Sequence, residues 1–136
     1  MAKTKADTPP VEVRAAITAA KDGLQQSELV GNCPINARRL YDELTARDID
    51  AQIVLGGCEI PDCQPPETLR DAEDMGIVHW WVEAQVDGEM ATVDLATEIE
   101  PIRGETLFRF GRPDQYVPFE RNPPHTEGFA TRSDNL

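Results

Sequence analysis

Apolar residues in the first third of the chain recur at the spacing of an α-helix in two consecutive segments. These positions, three or four residues apart, are Val13, Ile17, Ala20 and Leu24 in the first segment and Ala37, Leu40, Tyr41 and Leu44 in the second. One face of a helix repeats at that interval, so the pattern predicts two amphipathic helices. Pro34 suits the first position of the second helix, because the N–H that proline lacks would be unpaired there. Gly23 is the candidate to end or weaken the first helix.

After residue 48 the apolar period shortens to two, which is typical of strands with one buried face. The predicted strands are 49–57, 77–86, 89–97, 106–110 and 116–119. Asp87-Gly88 is a strong signal for a two-residue hairpin turn between the second and third strands. Residues 58–76 contain many Pro, Asp and Glu and are predicted to form a long surface loop. Helices followed by antiparallel strands indicate an α+β fold, with N-terminal helices packed on an antiparallel sheet.

The length of 136 residues indicates a single domain. We expect that domain to span 11–120, between a disordered lead-in, 1–10, and a flexible tail, 121–136. No apolar run reaches the roughly 18 residues that cross a membrane, and MAKTKADTPP lacks the apolar centre of a signal peptide. Three cysteines without a secretory signal argue against a disulfide framework. Cytoplasmic localisation, without a membrane partner, is therefore expected.

Acidic residues greatly outnumber basic ones. Twenty-five Asp and Glu face thirteen Lys and Arg, which gives a net charge of -12, and the lysines are only Lys3, Lys5 and Lys21. Concentrated salt screens the repulsion within such a surface, so we interpret the chain as halophilic. An ordinary acidic cytosolic protein is the alternative. The negative charge repels nucleic acid and no basic patch offsets it, so nucleic acid is not expected as a partner.

The predicted hairpin brings a histidine and an aspartate together. If Asp87-Gly88 forms a two-residue turn, Val86 pairs with Glu89, and the register of both strands is fixed. His79 and Asp94 then share one face as diagonal neighbours, about 7 Å apart by Cα. A carboxylate in this place can hold an imidazole in one tautomer and orientation. A β-bulge between them would remove the contact.

Cys33 directly precedes Pro34 at the predicted start of the second helix. A helix N-terminus carries the positive end of the macrodipole and unpaired N–H groups, which favour a thiolate. The same N–H groups can stabilise an oxyanion. Cys33 is therefore a candidate nucleophile, although sequence spacing does not bring it to His79. Taken singly, a cysteine at a helix start is more often a small buried residue, and a strand histidine is more often structural.

Two segments, GNCPINARRLYDELTARDIDAQIVLGG and HWWVEAQVDGEMATVDLAT, resemble the transglutaminase-like core of the papain-like cysteine enzymes. In that family a Gly-x-Cys enters a helix, a strand ending in glycine follows, and a His-x-Trp-Val-Glu strand precedes one that ends in Val-Asp. The matching residues are Gly31, Cys33, Ala37, Leu40, Leu44, Ile49, Ala51, Val54, Gly56, His79, Trp81, Val82, Glu83, Val93 and Asp94. Asp48 stands where the family prefers a glycine, in a left-handed conformation that aspartate can also adopt.

The resemblance, which covers residues 31–97, implies a papain-like or transglutaminase-like core in a small halophilic member of the family. It implies that Cys33 is the nucleophile, His79 the general base and acid, and Asp94 the residue that orients His79. It requires no metal or organic cofactor. The oxyanion donor that the family has outside the helix is not identifiable. Gln25 and Gln26, upstream of Cys33, are candidates for it, and solvated helix-end residues are the alternative.

The implied activity is that of a cysteine hydrolase or acyltransferase that acts on an amide bond of a peptide or protein through a thioester. Hydrolysis is the preferred form, because nothing in the chain suggests a site for an acceptor amine. A second hypothesis is a non-enzymatic binding or assembly module, for example a viral or structural accessory that retains the fold. A third is a zinc protein in which Cys33 and His79 complete a site with Cys58 and Cys63.

Overall fold

The computed structural model describes residues 8–59, 63–99 and 102–122, which form four helices and one antiparallel sheet of five strands. The elements are α1 Val11–Ala20, α2 Gln26–Leu29, α3 Cys33–Ala46, β1 Ala51–Cys58, α4 Leu69–Met75, β2 Val78–Val86, β3 Glu89–Asp94, β4 Leu107–Phe110 and β5 Tyr116–Arg121. The predicted α+β class and antiparallel sheet are therefore confirmed. Most of the predicted lead-in and tail, 1–7 and 123–136, lies outside the described residues. None of the described helices is long and apolar enough to cross a membrane.

The first helix, α1, ends at Ala20, three residues before Gly23, the candidate to end or weaken it, although the apolar spacing continues to Leu24. Gly23 adopts a left-handed conformation, with φ 81°, which glycine reaches without a steric penalty. The chain therefore leaves the helix and resumes helical geometry only in α2. Leu24 still packs against the main core, which explains why the apolar spacing continues beyond the helix.

The third helix, α3, begins at Cys33, so Pro34 is its second residue. The prediction that Pro34 is the first residue of the helix is therefore wrong by one position. Proline is tolerated there because the first turn has no intrahelical acceptor for its N–H. After the helix, Asp48 adopts the left-handed conformation with φ 61°. Ile49 N–H then donates to the Leu44 carbonyl at 3.0 Å, which pairs a carbonyl at the helix end. The conformation expected of Asp48 is thus confirmed.

The predicted loop 58–76 contains a helix, α4, which the apolar pattern of the sequence does not predict. The Thr68 hydroxyl accepts a hydrogen bond from Asp71 N–H at 3.0 Å, and the Asp71 carboxylate accepts one from Thr68 N–H at 3.1 Å. Thr-x-x-Asp is therefore a capping box, and Gly76 ends the helix with φ 71°. The helix is short and strongly charged, and only Ala72 in it is fully buried, so no apolar period marks it.

The strands lie in the order β4-β3-β2-β1-β5, which places β2 at the centre of the sheet. The main core covers one face, where α3 packs on β1 and β2 and α1 packs on α3. Successive strand residues point to opposite faces, so His79 lies on the face opposite Trp80 and the main core. A smaller apolar cluster lies on that second face, formed by Val54, Cys58, Trp81, Ile99, Leu107 and Tyr116.

Each of the five strands differs from the prediction at one end or both. β2 and β4 begin one residue later than predicted, at Val78 and Leu107. β1 begins at Ala51 and not at residue 49, and it continues to Cys58. β3 ends at Asp94, where the chain bends, although the sequence predicts a strand to residue 97. β5 continues to Arg121, one residue into the predicted tail. These differences leave the pairing of β2 with β3 unchanged, and that pairing positions the candidate site.

Candidate active site

β2 and β3 are joined by the predicted two-residue turn. Asp87 and Gly88 both have positive φ, 52° and 81°, as a type I′ hairpin turn requires. The ladder pairs Val86 with Glu89 and continues in register as far as Val82 and Val93. The predicted register is therefore confirmed, and the ladder carries no bulge that would separate the residues on the shared face.

This register brings the His79 imidazole to the Asp94 carboxylate. His79 Nε2 lies 2.5 Å from Asp94 Oδ2, and the same oxygen accepts a hydrogen bond from the Tyr116 hydroxyl at 2.6 Å. The other oxygen, Oδ1, accepts one from Ala96 N–H at 3.2 Å. The carboxylate is only 3% exposed. Donors from β2, from β5 and from the end of its own strand thus fix its orientation.

The His79 ring is fully buried, at 0% exposure, between two aromatic residues. Its centroid lies 6.1 Å from that of Trp81, with the rings stacked, and 5.7 Å from that of Tyr116, with the rings edge to face. Nδ1 is buried without a hydrogen-bond partner in the part of the chain that the structure describes. Since Nε2 binds Asp94, Nδ1 is the nitrogen that remains to accept or release a proton.

Cys33 is the first residue of α3 and is half-buried beside His79. Burial alone lowers the pKa of His79. Asp94, through its charge and its hydrogen bond, and the Cys33 thiol raise that pKa to about 10. Because Nε2 is bound to Asp94, Nδ1 is the ring nitrogen that can exchange a proton with the Cys33 thiol. The described structure contains no formed hydrogen bond at Nδ1, and such bonds are often long in sites that hold no substrate. The tertiary structure thus supplies the contact that sequence spacing leaves undetermined.

A cleft of about 550 Å³ opens beside Cys33. It lies where α3 and β2 begin and where β1 and α4 end, and its lining includes Cys33, Cys58, Glu59, Met75, Glu98 and Gln115. Glu98 is paired with Arg103, with Oε1 and Nε 3.2 Å apart. His79 and Asp94 lie beneath this surface and do not line it. A substrate in the cleft would therefore meet the thiol of Cys33.

Neither glutamine proposed as an oxyanion donor lines the cleft. Gln25 precedes α2, where its backbone N–H donates to the Glu28 side chain at 2.6 Å. Gln26 donates both amide protons to backbone carbonyls, to Leu95 O and to Gly104 O, each at 2.7 Å. Its amide ties α2 to the segments around β4, so no proton remains for an oxyanion. The structure therefore does not bring Gln25 or Gln26 to Cys33, whereas the backbone N–H groups at the start of α3 are next to the thiol.

The other two cysteines lie in different surroundings from Cys33. Cys58, at the end of β1, is 6% exposed, and burial, followed by the charges of Asp94 and Glu98, raises the pKa of its thiol well above the usual range. Cys63 is exposed. Among the residues that the structure describes, no group of three or more His, Cys, Asp or Glu side chains could hold a metal ion. The four zinc ligands of the third hypothesis are therefore not brought together.

A buried carboxylate, Glu83, lies on the face of His79 further along β2. It accepts hydrogen bonds from Arg112 at 2.7 and 3.1 Å, from Arg121 at 2.6 Å and from the Trp81 indole at 3.1 Å. Burial raises the pKa of Glu83, but these donors outweigh it and lower the pKa below the ordinary value. Glu83 thereby links β2 to Arg121 on β5 and to Arg112 in the segment before β5. It also fixes the Trp81 ring, which stacks on His79. The alternation of side chains along β2 predicts which face of the sheet Glu83 occupies. Its arginine partners are distant in the chain, so no local pattern in the sequence predicts them.

Tyr116 is the site residue for which the sequence analysis gives no indication. The segment YVPF predicts only a short strand, and the aromatic residue beginning it looks like any other core residue. Tyr116 comes close to Asp94 because β5, at the edge of the sheet, pairs with β1, the neighbour of β2. In this pairing Tyr116 lies opposite Cys58.

No family model matches the chain, and neither a curated protein nor a solved structure shows significant similarity to it.

Proposed function

We propose that this protein is a cysteine hydrolase or acyltransferase, with a transglutaminase-like and papain-like core, that acts on an amide bond of a peptide or protein. The observation that carries the proposal is the buried His79, whose Nε2 binds Asp94. Its Nδ1 has no hydrogen-bond partner among the described residues and is the nitrogen left to exchange a proton with the nearby Cys33 thiol. The cleft beside Cys33 gives a substrate access to the sulfur. The order Cys, His, Asp along the chain agrees with the family that the sequence resembles.

In the first step the Cys33 proton resides on His79 Nδ1, and the thiolate Sγ attacks the amide carbonyl carbon. Backbone N–H groups at the start of α3 stabilise the oxyanion that forms. When the tetrahedral intermediate collapses, the C–N bond breaks and the leaving amine takes the proton from Nδ1. The product is a thioester between the acyl group and Cys33, with His79 left neutral.

In the second step a nucleophile from the cleft attacks the thioester carbon. His79 Nδ1 accepts its proton and then returns a proton to Sγ when the C–S bond breaks, so the enzyme is regenerated. A water nucleophile gives hydrolysis and an amine gives acyl transfer. We favour hydrolysis, because the cleft opens beside Cys33 and gives water access to the thioester.

The test is alkylation of the native protein by iodoacetamide in about 1 M salt, from about pH 4 to about pH 9. Mass spectrometry then measures the rate at Cys33, Cys58 and Cys63 separately. We expect Cys33 to react at least about tenfold faster than Cys63 near pH 6, because only Cys33 has an imidazolium and a helix N-terminus beside it. Cys58 should be nearly inert because it is buried.

Matched variants complete this test. His79→Ala should reduce the Cys33 rate to that of Cys63, and the chain should still fold. Cys33→Ala should abolish turnover of a peptide-amide library, whereas Cys63→Ala, which removes an exposed thiol outside the site, should not affect it. If Cys33 reacts no faster than Cys63 in the folded protein, the proposed function is refuted. A binding or assembly module would then be the remaining hypothesis for this fold.

A further inference from the structure

Tyr116 lies within the candidate site without lining the cleft. It begins β5, is 2% exposed and contacts the rings of both His79 and Trp81, with centroid distances of 5.7 and 4.7 Å. Its hydroxyl donates to Asp94 Oδ2, the oxygen that also binds His79 Nε2. One carboxylate oxygen is therefore shared between a phenol and the imidazole.

The direction of each hydrogen bond around this oxygen follows from the number of protons available. An ionised carboxylate only accepts, so the single hydroxyl proton of Tyr116 points to Asp94. The Thr97 hydroxyl lies in very short contact with the Tyr116 oxygen and must therefore donate to it. Thr97 Oγ1 in turn accepts from Ile99 N–H at 3.3 Å. The hydrogen bonds thus converge on Asp94: Thr97 donates to Tyr116, and the Tyr116 hydroxyl and His79 Nε2 both donate to the carboxylate.

We propose, on the basis of the function proposed above, that Tyr116 is a positioning residue, which shares the Asp94 carboxylate with His79 and so limits how tightly Asp94 holds the imidazolium. A carboxylate oxygen that accepts a phenol proton has less negative charge to offer to Nε2. An imidazolium held too tightly would be a poor acid toward the leaving amine. Tyr116 thereby keeps His79 able both to accept and to release a proton.

Other titratable groups lie around the Asp94–His79 pair, but a change at Tyr116 leaves them in place. Cys33 faces the His79 ring from α3. Cys58, on β1, lies near Cys33 and Asp94, and burial keeps its thiol protonated. Glu83 lies further along β2 and is matched by two arginines. The loss of the Tyr116 hydroxyl therefore alters His79 through Asp94 alone.

The experiment is an NMR titration of the His79 ring in wild-type protein and in Tyr116→Phe, in about 1 M salt. The sequence contains only one other histidine, His125, and a His125→Ala background removes its signal. We expect the His79 midpoint to shift upward by about one pH unit in Tyr116→Phe, because Asp94 loses a competing donor. Tyr41→Phe, which changes the other tyrosine of the chain, a partly buried residue of α3 that packs against the main core, should leave the midpoint unchanged.

Thr97 provides a second, independent perturbation if Tyr116→Phe does not fold. Thr97→Val removes the donor that polarises the Tyr116 hydroxyl and should shift the midpoint in the same direction by a smaller amount. Thr97→Ser keeps the hydroxyl and should restore the wild-type value. A residue with only a structural role would lower the stability of the fold without this graded shift.

A second readout compares anionic iodoacetate with neutral iodoacetamide at Cys33. The imidazolium attracts the anion, so the ratio of the two rates should fall at the pH where His79 loses its proton, and Tyr116→Phe should move that fall upward. An unchanged or lowered His79 midpoint in Tyr116→Phe, or in Thr97→Val if the first variant does not fold, refutes the inference. The proposed function fails separately, if wild-type Cys33 shows no enhanced reactivity at any pH.

Discussion

The substitution Asp94→Asn removes the charge beside His79 with almost no change in side-chain size. His79 is 0% exposed, so water does not stabilise its charged form. Burial lowers the pKa of His79, and Asp94 is the main group that raises it, to a net value of about 10. Without that charge the effect of burial prevails, and the imidazole becomes neutral near pH 7. We therefore expect the pH dependence of the stability to change sign.

In the unfolded wild-type chain, His79 loses its proton above a pKa of about 6.5. In the folded protein, His79 keeps this proton up to a higher pH. The stabilisation from this proton is fully present below about pH 6.5 and is lost as the pH rises through about 10. From about pH 6.5 to about pH 8.5 the free energy of unfolding should fall by about 2 kcal/mol. This fall hardly changes if the folded pKa lies anywhere above about 9.

The assay is urea denaturation of Cys33→Ala and of Cys33→Ala/Asp94→Asn at several pH values, in about 1 M salt. Replacing Cys33 in both proteins removes the ionisation of its thiol. Burial is the largest cause of the raised pKa of Cys58, so its thiol stays protonated over this pH range in both folded proteins. We expect the free energy of unfolding to fall by about 2 kcal/mol in the first protein and to stay level or rise slightly in the second. Parallel pH profiles would contradict this prediction, since they would show that Asp94 does not keep His79 protonated.

Two further predictions concern the part of the sheet that supports the site. Glu83→Gln should lower the free energy of unfolding by about 2 kcal/mol, because two arginines then face a neutral amide. The control is Glu43→Gln, which removes a more exposed ion pair on α3 and should lower it by about 0.5 kcal/mol or less. Equal losses in urea denaturation would contradict this. Gly56→Ala should separate β5 from β1, because an added Cβ would lie 2.0 Å from the Val117 carbonyl oxygen. An unchanged unfolding midpoint would show that the close approach is absent.

The sequence alone determines the parts of the site that depend on local geometry. Asp87-Gly88 permits only a tight turn, a two-residue turn fixes the register, and the alternation of strand side chains places His79 and Asp94 on one face. All three rules act within a hairpin, so no distant contact is needed to apply them. The helix that begins at Cys33 is similarly local, since Pro34 and the apolar spacing mark it.

Local rules fail where elements distant in the chain decide the outcome. The apolar spacing through Leu24 reflects burial in the core and not a continuous helix, because Gly23 has already turned the chain. The capping box of α4 is present in the sequence, but its few buried residues give no apolar period. Gln26 has the chemistry of an oxyanion donor, yet packing commits its amide to two backbone carbonyls.

The candidate site thus combines features that local sequence rules predict with contacts that depend on packing between distant elements. The sequence determines an acidic α+β domain, the pairing of His79 with Asp94 and a thiol at a helix start. Only the packing of α3 on β2 brings Cys33 to His79, and only the pairing of β5 with β1 brings Tyr116 to Asp94. The transglutaminase-like relationship and the halophilic character stay predictions. Only some contacts of the site can be predicted from the sequence, because spacing along the chain fixes neighbours within a hairpin or a helix. Contacts between elements depend on how their buried faces pack together.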